Sequence, residues 1–307
     1  MTAEPDSSAA RQRTREGIIA GLISYSTWGF LPIYFKLVAD VPASEVLVHR
    51  IIWAVPFGFV IIVARRQWHE VVNAFRTPHI LAPLALAALL LAVNWLVYVQ
   101  AVQNDMIFQG SLGYYINPLM YVLVGVLFFA ERLRRAQTGA VLLAATGVAV
   151  LTVSGGEFPL IALTLATSFT IYGTIRSRVN IGGMPGLFVE TVVLLPAALV
   201  YLTWLAAQDA AAFTAGDIGL SGLLTLAGPL TVLPLLMFAL AARRLTLTTV
   251  GIMQFIAPTL QFLVGLAYGE ELTGPHIVCF VLIWTAVLLF SGDAWRHARA
   301  ARAQARP

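Results

Sequence analysis

The chain has 307 residues, of which 59% are hydrophobic and only 11% are charged, and its net charge is +4. This balance excludes an ordinary soluble domain and is typical of an integral membrane protein. A single cysteine, Cys279, excludes an intrachain disulfide and a cysteine-based metal cluster, and no cofactor is expected.

Ten stretches are long and apolar enough to cross a bilayer, which requires about 20 residues at about 1.5 Å each. In chain order they are predicted at residues 17–39, 44–64, 79–101, 106–129, 136–153, 158–175, 185–205, 219–241, 246–268 and 275–292. Because the connections are short, there is no room for a soluble catalytic domain. Residues 1–16 are predicted to be a disordered tail without a signal-peptide pattern, and residues 293–307 a basic tail.

Basic residues are concentrated on one side of the predicted spans. The loops and tails on that side hold all but two of the 19 lysines and arginines, and the opposite loops hold none. Under the positive-inside rule, both termini are therefore cytoplasmic. Since membrane orientation explains the positive charge, the lipid bilayer is an expected partner and nucleic acid is not.

The two halves of the chain match when the sequence is shifted by 140 residues. The shift superposes Pro118 on Pro258, Gly125 on Gly265, Glu131 on Glu271 and Arg50 on Glu190. A fixed offset indicates two copies of one unit. Each unit has five spans, and because five is odd, the second copy must be inserted upside down. The predicted fold is an all-α membrane protein with two inverted five-helix repeats, residues 17–153 and 154–292, as in alternating-access transporters.

Arg50, Glu190 and Lys36 are charged residues that lie within predicted spans or at their edges. A charge in the hydrocarbon core costs at least about 2.5–3.5 kcal/mol, so such residues usually face a cavity or a partner. We expect Arg50 and Glu190 to face a central cavity from opposite leaflets, roughly 10–15 Å apart along the membrane normal, which disfavours a direct ion pair. The alternative is that each satisfies a local polar partner. Lys36, the only lysine, either binds a ligand or extends to the outer interface.

The fourth and ninth predicted spans carry polar stripes with the same spacing. The stripes are Ser111, Tyr114, Pro118, Tyr121 and Gly125, and Gly251, Gln254, Pro258, Gln261 and Gly265. A proline leaves the carbonyl four residues earlier without its helical donor, and in lipid that carbonyl must face protein or water. The stripes therefore predict a polar pocket at mid-depth, with close helix packing as the alternative. Further candidates for the pocket are Tyr25, Trp28, Lys36, His49, Arg50, Asn94, Tyr98 and Asn117.

Glu45 and His49 are i, i+4 neighbours on the second predicted span and could pair. His49 is either a group that titrates near neutral pH or a packed, hydrogen-bonded side chain.

Several strings in this chain resemble the RarD group of the EamA family, within the drug/metabolite transporter superfamily. They are Trp28-Gly29, Tyr34-Phe35-Lys36, His49-Arg50, Asn94-Trp95, Ser111-Leu112-Gly113-Tyr114, Ile116-Asn117-Pro118-Leu119 and Glu131-Arg132-Leu133. The resemblance implies ten helices in a bacterial inner membrane and a cavity lined by spans 1–4 and 6–9. Two residues depart from the pattern, since Gln109 replaces an expected acid and Ala130 an expected glycine.

The leading hypothesis is a secondary transporter of a small organic metabolite or amphipathic compound, anionic or aromatic, that works by alternating access. Arg50 and Lys36 would attract an anion, Glu190 would carry a proton, and the resemblance favours export. Alternatives are a passive facilitator of a small anionic metabolite and a membrane-embedded sensor or assembly partner. The sequence has no Gly-rich phosphate loop, G-x-S-x-G or H-E-x-x-H motif, so neither ATP-driven transport nor enzymatic activity is predicted.

Overall fold

The computed structural model describes residues 7–129, 133–156, 158–214 and 217–304, and these residues form helices without any strand. The helices are α1 (Ser7–Leu37), α2 (Ala43–Ala64), α3 (Trp68–Arg76), α4 (Pro78–Gln103), α5 (Ile107–Phe129), α6 (Arg135–Gly155), α7 (Leu160–Arg176), α8 (Gly183–Ala207), α9 (Ile218–Arg244), α10 (Leu247–Met253), α11 (Ile256–Ala267) and α12 (Gly274–Gln304). A 3₁₀ turn at Ala212–Thr214 precedes α9. The predicted all-α class is confirmed.

Nine segments of the described chain are long and apolar enough to cross a membrane, and α7 is a shorter apolar helix. Together they match the ten predicted spans within a few residues at most ends. The protein is therefore a multi-pass membrane protein, whereas the number of spans and the cytoplasmic location of both termini stay predictions. Following the predicted orientation, we term the end of the bundle at which α2, α5, α7, α9 and α12 begin the outer end, and the opposite end the inner end.

Helical structure extends into parts of both tails. α1 already begins at Ser7, within the stretch predicted to be disordered, because residues 7–16 are rich in helix formers and Gln12 donates to Glu16 one turn away at 3.3 Å. At the other terminus α12 continues to Gln304. The short helix α3, which buries Val71 and Ala74, was not predicted because it is far shorter than a span.

Helix pairing follows the predicted 140-residue repeat. α1 packs on α9 and α11 as α7 packs on α4 and α5, and α6–α12, α2–α8 and α5–α11 are further main pairs; α2 also packs on α9, whereas the matching contact of α8 with α4 is smaller. Exchanging the two halves maps most of the main pairs onto one another. The donors of two hydrogen bonds also correspond, since the shift superposes Tyr121 on Gln261. Tyr121 donates to the Phe169 carbonyl at 3.3 Å and Gln261 to the Trp28 carbonyl at 3.2 Å, acceptors that differ by one position under the shift. Such a pattern is what an approximate two-fold axis between the halves would produce.

The two repeat-related prolines have different effects on their helices. α5 continues through Pro118, whereas the predicted ninth span is broken into α10 and α11 at Gln254 and Phe255. The break lies four residues before Pro258, which has no N–H to donate to the carbonyl of Gln254. Ser111 of α5 donates to the Pro258 carbonyl at 2.8 Å, so α11 is held against α5. Of the repeat positions, Glu131 lies outside the described residues, as do Ala130 and Arg132.

The contact between α2 and α9 depends on Gly228. A Cβ atom at this position would collide with the backbone carbonyl oxygen of Trp53, whereas a Cβ at Gly222, earlier on α9, would meet no atom within 4 Å. We predict that Gly228→Ala destabilises the protein by about 1–3 kcal/mol because backbone cannot yield as a side chain does. Gly222→Ala should be neutral or slightly stabilising. Unfolding midpoints of both variants in detergent test this, and equal midpoints would contradict it.

Candidate functional site

Arg50 on α2 is 5% exposed, and aromatic and hydroxyl groups surround its guanidinium. Its Nε donates to Thr231 Oγ1 at 3.2 Å, and its Cζ lies 4.3 Å from the ring centre of Trp95 and 5.4 Å from that of Phe35. None of the ion pairs among the described residues includes Arg50. Aromatic faces attract the cation but leave its planar fork of donors available to an anion.

Three of the predicted pocket residues on α4 and α5 lie together beside this arginine. Asn94 donates to the Leu165 carbonyl and to Ser168 Oγ, both at 3.0 Å, and accepts from the Tyr114 hydroxyl at 3.1 Å. The Tyr98 ring lies 5.4 Å from the Tyr114 ring and 6.0 Å from the ring of Phe35, which the Arg50 guanidinium also contacts. We term Arg50, Asn94, Trp95, Tyr98, Tyr114 and Thr231 the central cluster.

Two polar atoms at or near the central cluster have no hydrogen-bond partner within the described part of the chain. They are the Tyr98 hydroxyl and Asn117 Oδ1, which lies on α5 one turn beyond Tyr114. Buried polar groups are paired in the great majority of native structures, so unpaired ones mark a place where a polar ligand or water can bind.

Other predicted pocket residues on α1 lie about two to three turns closer to the inner side than Phe35. Tyr25, Trp28 and Phe238 form an aromatic cluster with ring centres 5.6–6.2 Å apart. Gln261, on α11, is joined to this cluster through the Trp28 carbonyl, and its Oε1 has no partner among the described residues. Gln254, in the break between α10 and α11, is half-buried.

Tyr121 is 39% exposed and holds α5 to α7 through its hydroxyl. Pro118 and Pro258 are both buried, and the outer halves of α5 and α11 pack closely, as the stacking of Phe108 on Phe262 at 5.0 Å illustrates. A cavity of about 380 Å³ lies elsewhere, on the lipid-facing side of α1 and α9. It is lined by Ile23, Ser26, Thr27, Phe30, Leu31, Tyr34 and Leu230, and none of these residues belongs to the proline stripes.

Lys36 and His49 lie outside the central cluster. Lys36 forms an ion pair of 2.6 Å with Asp105 at the outer end of the bundle, where the Asp105 side chain is 72% exposed. His49 is buried next to Glu45, with Nε2 and Oε1 3.7 Å apart.

Glu190 is fully buried on α8, where its Oε1 lies 3.1 Å from Nε of Arg176. The Tyr172 hydroxyl donates to Oε2 at 3.3 Å. Glu190 thus has a local partner on α7, and an ion pair with Arg50 does not form. Sequence reasoning missed Arg176 by assigning it to a loop, although the 140-residue shift superposes it on Lys36.

Comparison with known proteins identifies the class. Residues 15–153 match the model of the EamA-like transporter family. An "Uncharacterized transporter" of Vibrio cholerae is 42% identical over 293 residues, which cover 95% of this chain and 97% of that protein. "Protein RarD" of Salmonella typhimurium is 42% identical over 284 residues, which cover 92% of this chain and 97% of that protein. A solved crystal structure that is 18% identical aligns with a TM-score of 0.58 over 89% of this chain and 96% of its own, which supports the fold alone.

The chain therefore belongs to the EamA-like transporter family and is a multi-pass transporter of the bacterial inner membrane. Its relatives place it in the RarD group of that family, which confirms the resemblance seen in the sequence. Membership of this family points to transport rather than catalysis.

The Arg176–Glu190 pair yields a stability prediction. Arg176→Gln leaves a fully buried carboxylate without its cation, and breaking a buried pair in this way costs about 3–5 kcal/mol. The double variant Arg176→Gln with Glu190→Gln should recover most of the loss, because no charge is then left unpaired. Lys36→Gln, which breaks an ion pair with an exposed partner, should change stability by about 0–1 kcal/mol. Unfolding midpoints in detergent test the set, and a double variant as unstable as Arg176→Gln would contradict the argument.

Proposed function

We propose that the protein is a secondary transporter that binds a small organic anion at the central cluster and carries it across the membrane by alternating access. The observation that supports this most directly is the state of Arg50, a buried arginine with aromatic and hydroxyl neighbours and no acidic partner among the described residues. Intramembrane charges of this kind are functional sites by default.

The chemistry of the central cluster favours a carboxylate or phosphate. The terminal nitrogens of a guanidinium can bind two oxygens of such a group in parallel, which a point charge cannot do. Trp95, Tyr98 and Tyr114 offer apolar faces for an organic body attached to the anionic group. Lys36 has a lesser role in this proposal, because it is paired with Asp105.

Alternating access needs two halves that can rock about a fixed site. The paired arrangement of helices supports this, since α1 with α9 and α7 with α4 are equivalent contacts between the two halves. The central cluster combines residues of α2, α4, α5 and α9, so it draws on both halves. In addition, the break between α10 and α11 gives one helix a point at which it can bend.

Removing the guanidinium should abolish recognition of anions. Hydrogen bonds to charged groups contribute about 1.5–3 kcal/mol, so Arg50→Gln should lower counterflow of a transported carboxylate or phosphate about 10- to 100-fold. Arg50→Lys should be intermediate because it keeps the charge and loses the fork. Lys36→Gln is the control and should retain counterflow to within about threefold.

The measurement is counterflow in proteoliposomes with labelled carboxylates, phosphates and matched neutral compounds. Candidate substrates come from comparing intracellular and extracellular metabolites of a deletion strain. If Arg50→Gln folds normally and transports a carboxylate or phosphate at the unaltered rate, the anion site lies elsewhere. If no compound shows counterflow, a sensor or assembly role gains support.

Glu190 is the candidate for proton coupling in the inner half. If it carries the proton, Glu190→Gln should lose accumulation driven by a pH gradient while keeping counterflow, since exchange needs no titrating group. The control is Glu16→Gln, which removes a carboxylate 47% exposed at the start of α1. Unchanged gradient-driven accumulation in Glu190→Gln would remove this residue from the role, and the absence of accumulation in the unaltered protein would favour a passive facilitator.

A further inference from the structure

One face of α2 carries a column of polar side chains at its outer end, of which Glu45 and His49 are buried and Trp53 is half-buried. Glu45, His49 and Trp53 are spaced i, i+4 and i+8, so they lie one above another on the helix. Glu45 is 0% and His49 1% exposed, and their Oε1 and Nε2 atoms are 3.7 Å apart. The central cluster does not use this column, because Arg50 points to the neighbouring face and contacts Trp95 and Phe35.

The column is covered by residues 208–214, which connect α8 to α9 and which we term the outer loop. The backbone N–H of Ala212 donates to Glu45 Oε1 at 2.8 Å. The Phe213 ring lies 5.2 Å from the His49 ring and 6.1 Å from the Trp53 ring, measured between centres. These contacts hold the outer loop over the column and close it from the outer side.

Polar atoms beneath the outer loop are unpaired within the described chain. Glu45 Oε2, both ring nitrogens of His49 and Nε1 of Trp53 have no hydrogen-bond partner there. Leaving such groups buried without a partner costs about 1–3 kcal/mol of stability each. A cost of this size favours a functional role for the buried atoms. A carboxylate and an imidazole side by side have the chemistry to hold a proton between them.

Few other ionisable groups face the pair. Tyr201 of α8 is hydrogen-bonded to Ser44, Tyr98 of α4 packs against Phe35, and Asp209 of the outer loop is exposed. The first half of α9, residues 218–231, carries no titratable side chain. Among the residues that the structure describes, the cation next to the pair along α2 is Arg50, and the aromatic rings and Thr231 already engage it on the adjacent face.

The net charge of the pair decides whether burial is favourable. With Glu45 ionised and His49 neutral, the outer loop covers a negative charge that no cation contacts, and such burial is costly. One proton from the outer medium, added to His49 Nε2, converts the pair to an imidazolium beside a carboxylate and makes it neutral. No other bond forms or breaks. Proton binding therefore stabilises the covered arrangement, and proton loss favours uncovering the column.

We propose that Glu45 and His49 form a proton-binding site, and that the proton bound there holds the outer loop closed over α2. This site is distinct from Glu190, which lies at the inner end of α8. The role of the site in coupling transport to protons rests on the proposed function, whereas proton-dependent closure of the outer loop does not.

The test measures access to Ala211, which is 3% exposed in the outer loop. In a Cys279→Ala background, which removes the only native thiol, Ala211→Cys is labelled with a membrane-impermeant maleimide in lipid nanodiscs. The rate is divided by that of Gln208→Cys, an exposed position in the same loop, to correct for thiol ionisation. Between about pH 5.5 and about pH 8.5 this ratio should rise about tenfold or more, since one coupled proton changes the open population by up to tenfold per pH unit.

Substitutions of Glu45 or His49 should remove the pH dependence of the labelling ratio, whereas substitutions of control carboxylates should not. Glu45→Gln makes the pair neutral without a proton, so the ratio should stay low across the whole range, and His49→Gln should lose most of the pH dependence. Glu190→Gln and Glu270→Gln should keep the full change. Glu270 is the stringent control because its carboxylate accepts from the Phe108 N–H at the same outer end, and burial raises its pKa to about 7.

Three outcomes would overturn the proposal. They are a ratio that does not depend on pH in the unaltered pair, a dependence that persists in folded Glu45→Gln and His49→Gln, or its loss in Glu270→Gln. Thermal unfolding of each variant establishes that it is folded. Because labelling needs no substrate, its result stands even if the anion-transport proposal fails. If both proposals hold, Glu45→Gln should keep counterflow and lose the dependence of accumulation on outer pH.

Discussion

Hydrocarbon surroundings do not solvate charge, so every buried ionised group in this chain must be neutralised, hydrated or shielded by protein. The described residues contain three different solutions. Glu190 is neutralised by Arg176 and accepts from Tyr172. Arg50 is shielded by aromatic faces and one hydroxyl. Glu45 has a backbone N–H and a histidine. Of these three groups, only Glu190 has its charge neutralised by a protein partner alone. We therefore assign functional roles to Arg50 and Glu45.

A comparison of the two repeats indicates which partner Arg50 lacks. The 140-residue shift that superposes Arg50 on Glu190 also superposes Lys36 on Arg176. In the second half this pair of positions holds a cation and a carboxylate, which bind each other. In the first half both positions hold cations, and Lys36 pairs with Asp105 instead. The first half thus lacks the carboxylate that its counterpart has, and an anionic substrate would supply the missing charge at Arg50.

The sequence predicted those features that hydrophobic length and repetition determine. The spans and the offset between the halves follow from hydrophobic length and repetition along the chain, and the i, i+4 spacing of Asn94 and Tyr98 places both on one face of α4. It did not predict which side chains meet across helices. The covering of His49 by Phe213 joins residues more than 150 positions apart, and such contacts depend on rotations of helices that no local pattern encodes. The sequence indicated a disturbed helix at both Pro118 and Pro258, but only the helix that contains Pro258 is broken, and the helix that contains Pro118 is continuous.

The positions of the two carboxylates suggest how protons and access could be linked in an inverted repeat. Glu45 lies in the first turn of α2 at the outer end, and Glu190 lies towards the inner end of α8. The two helices occupy matching places in the two halves and pack together. A group at each end can sense the medium on its own side. Arg50 lies one residue beyond His49 on α2. A movement of α2 that uncovers the outer pair would therefore also move the guanidinium that we propose binds the anion, and the rigidity of the helix would couple the two events.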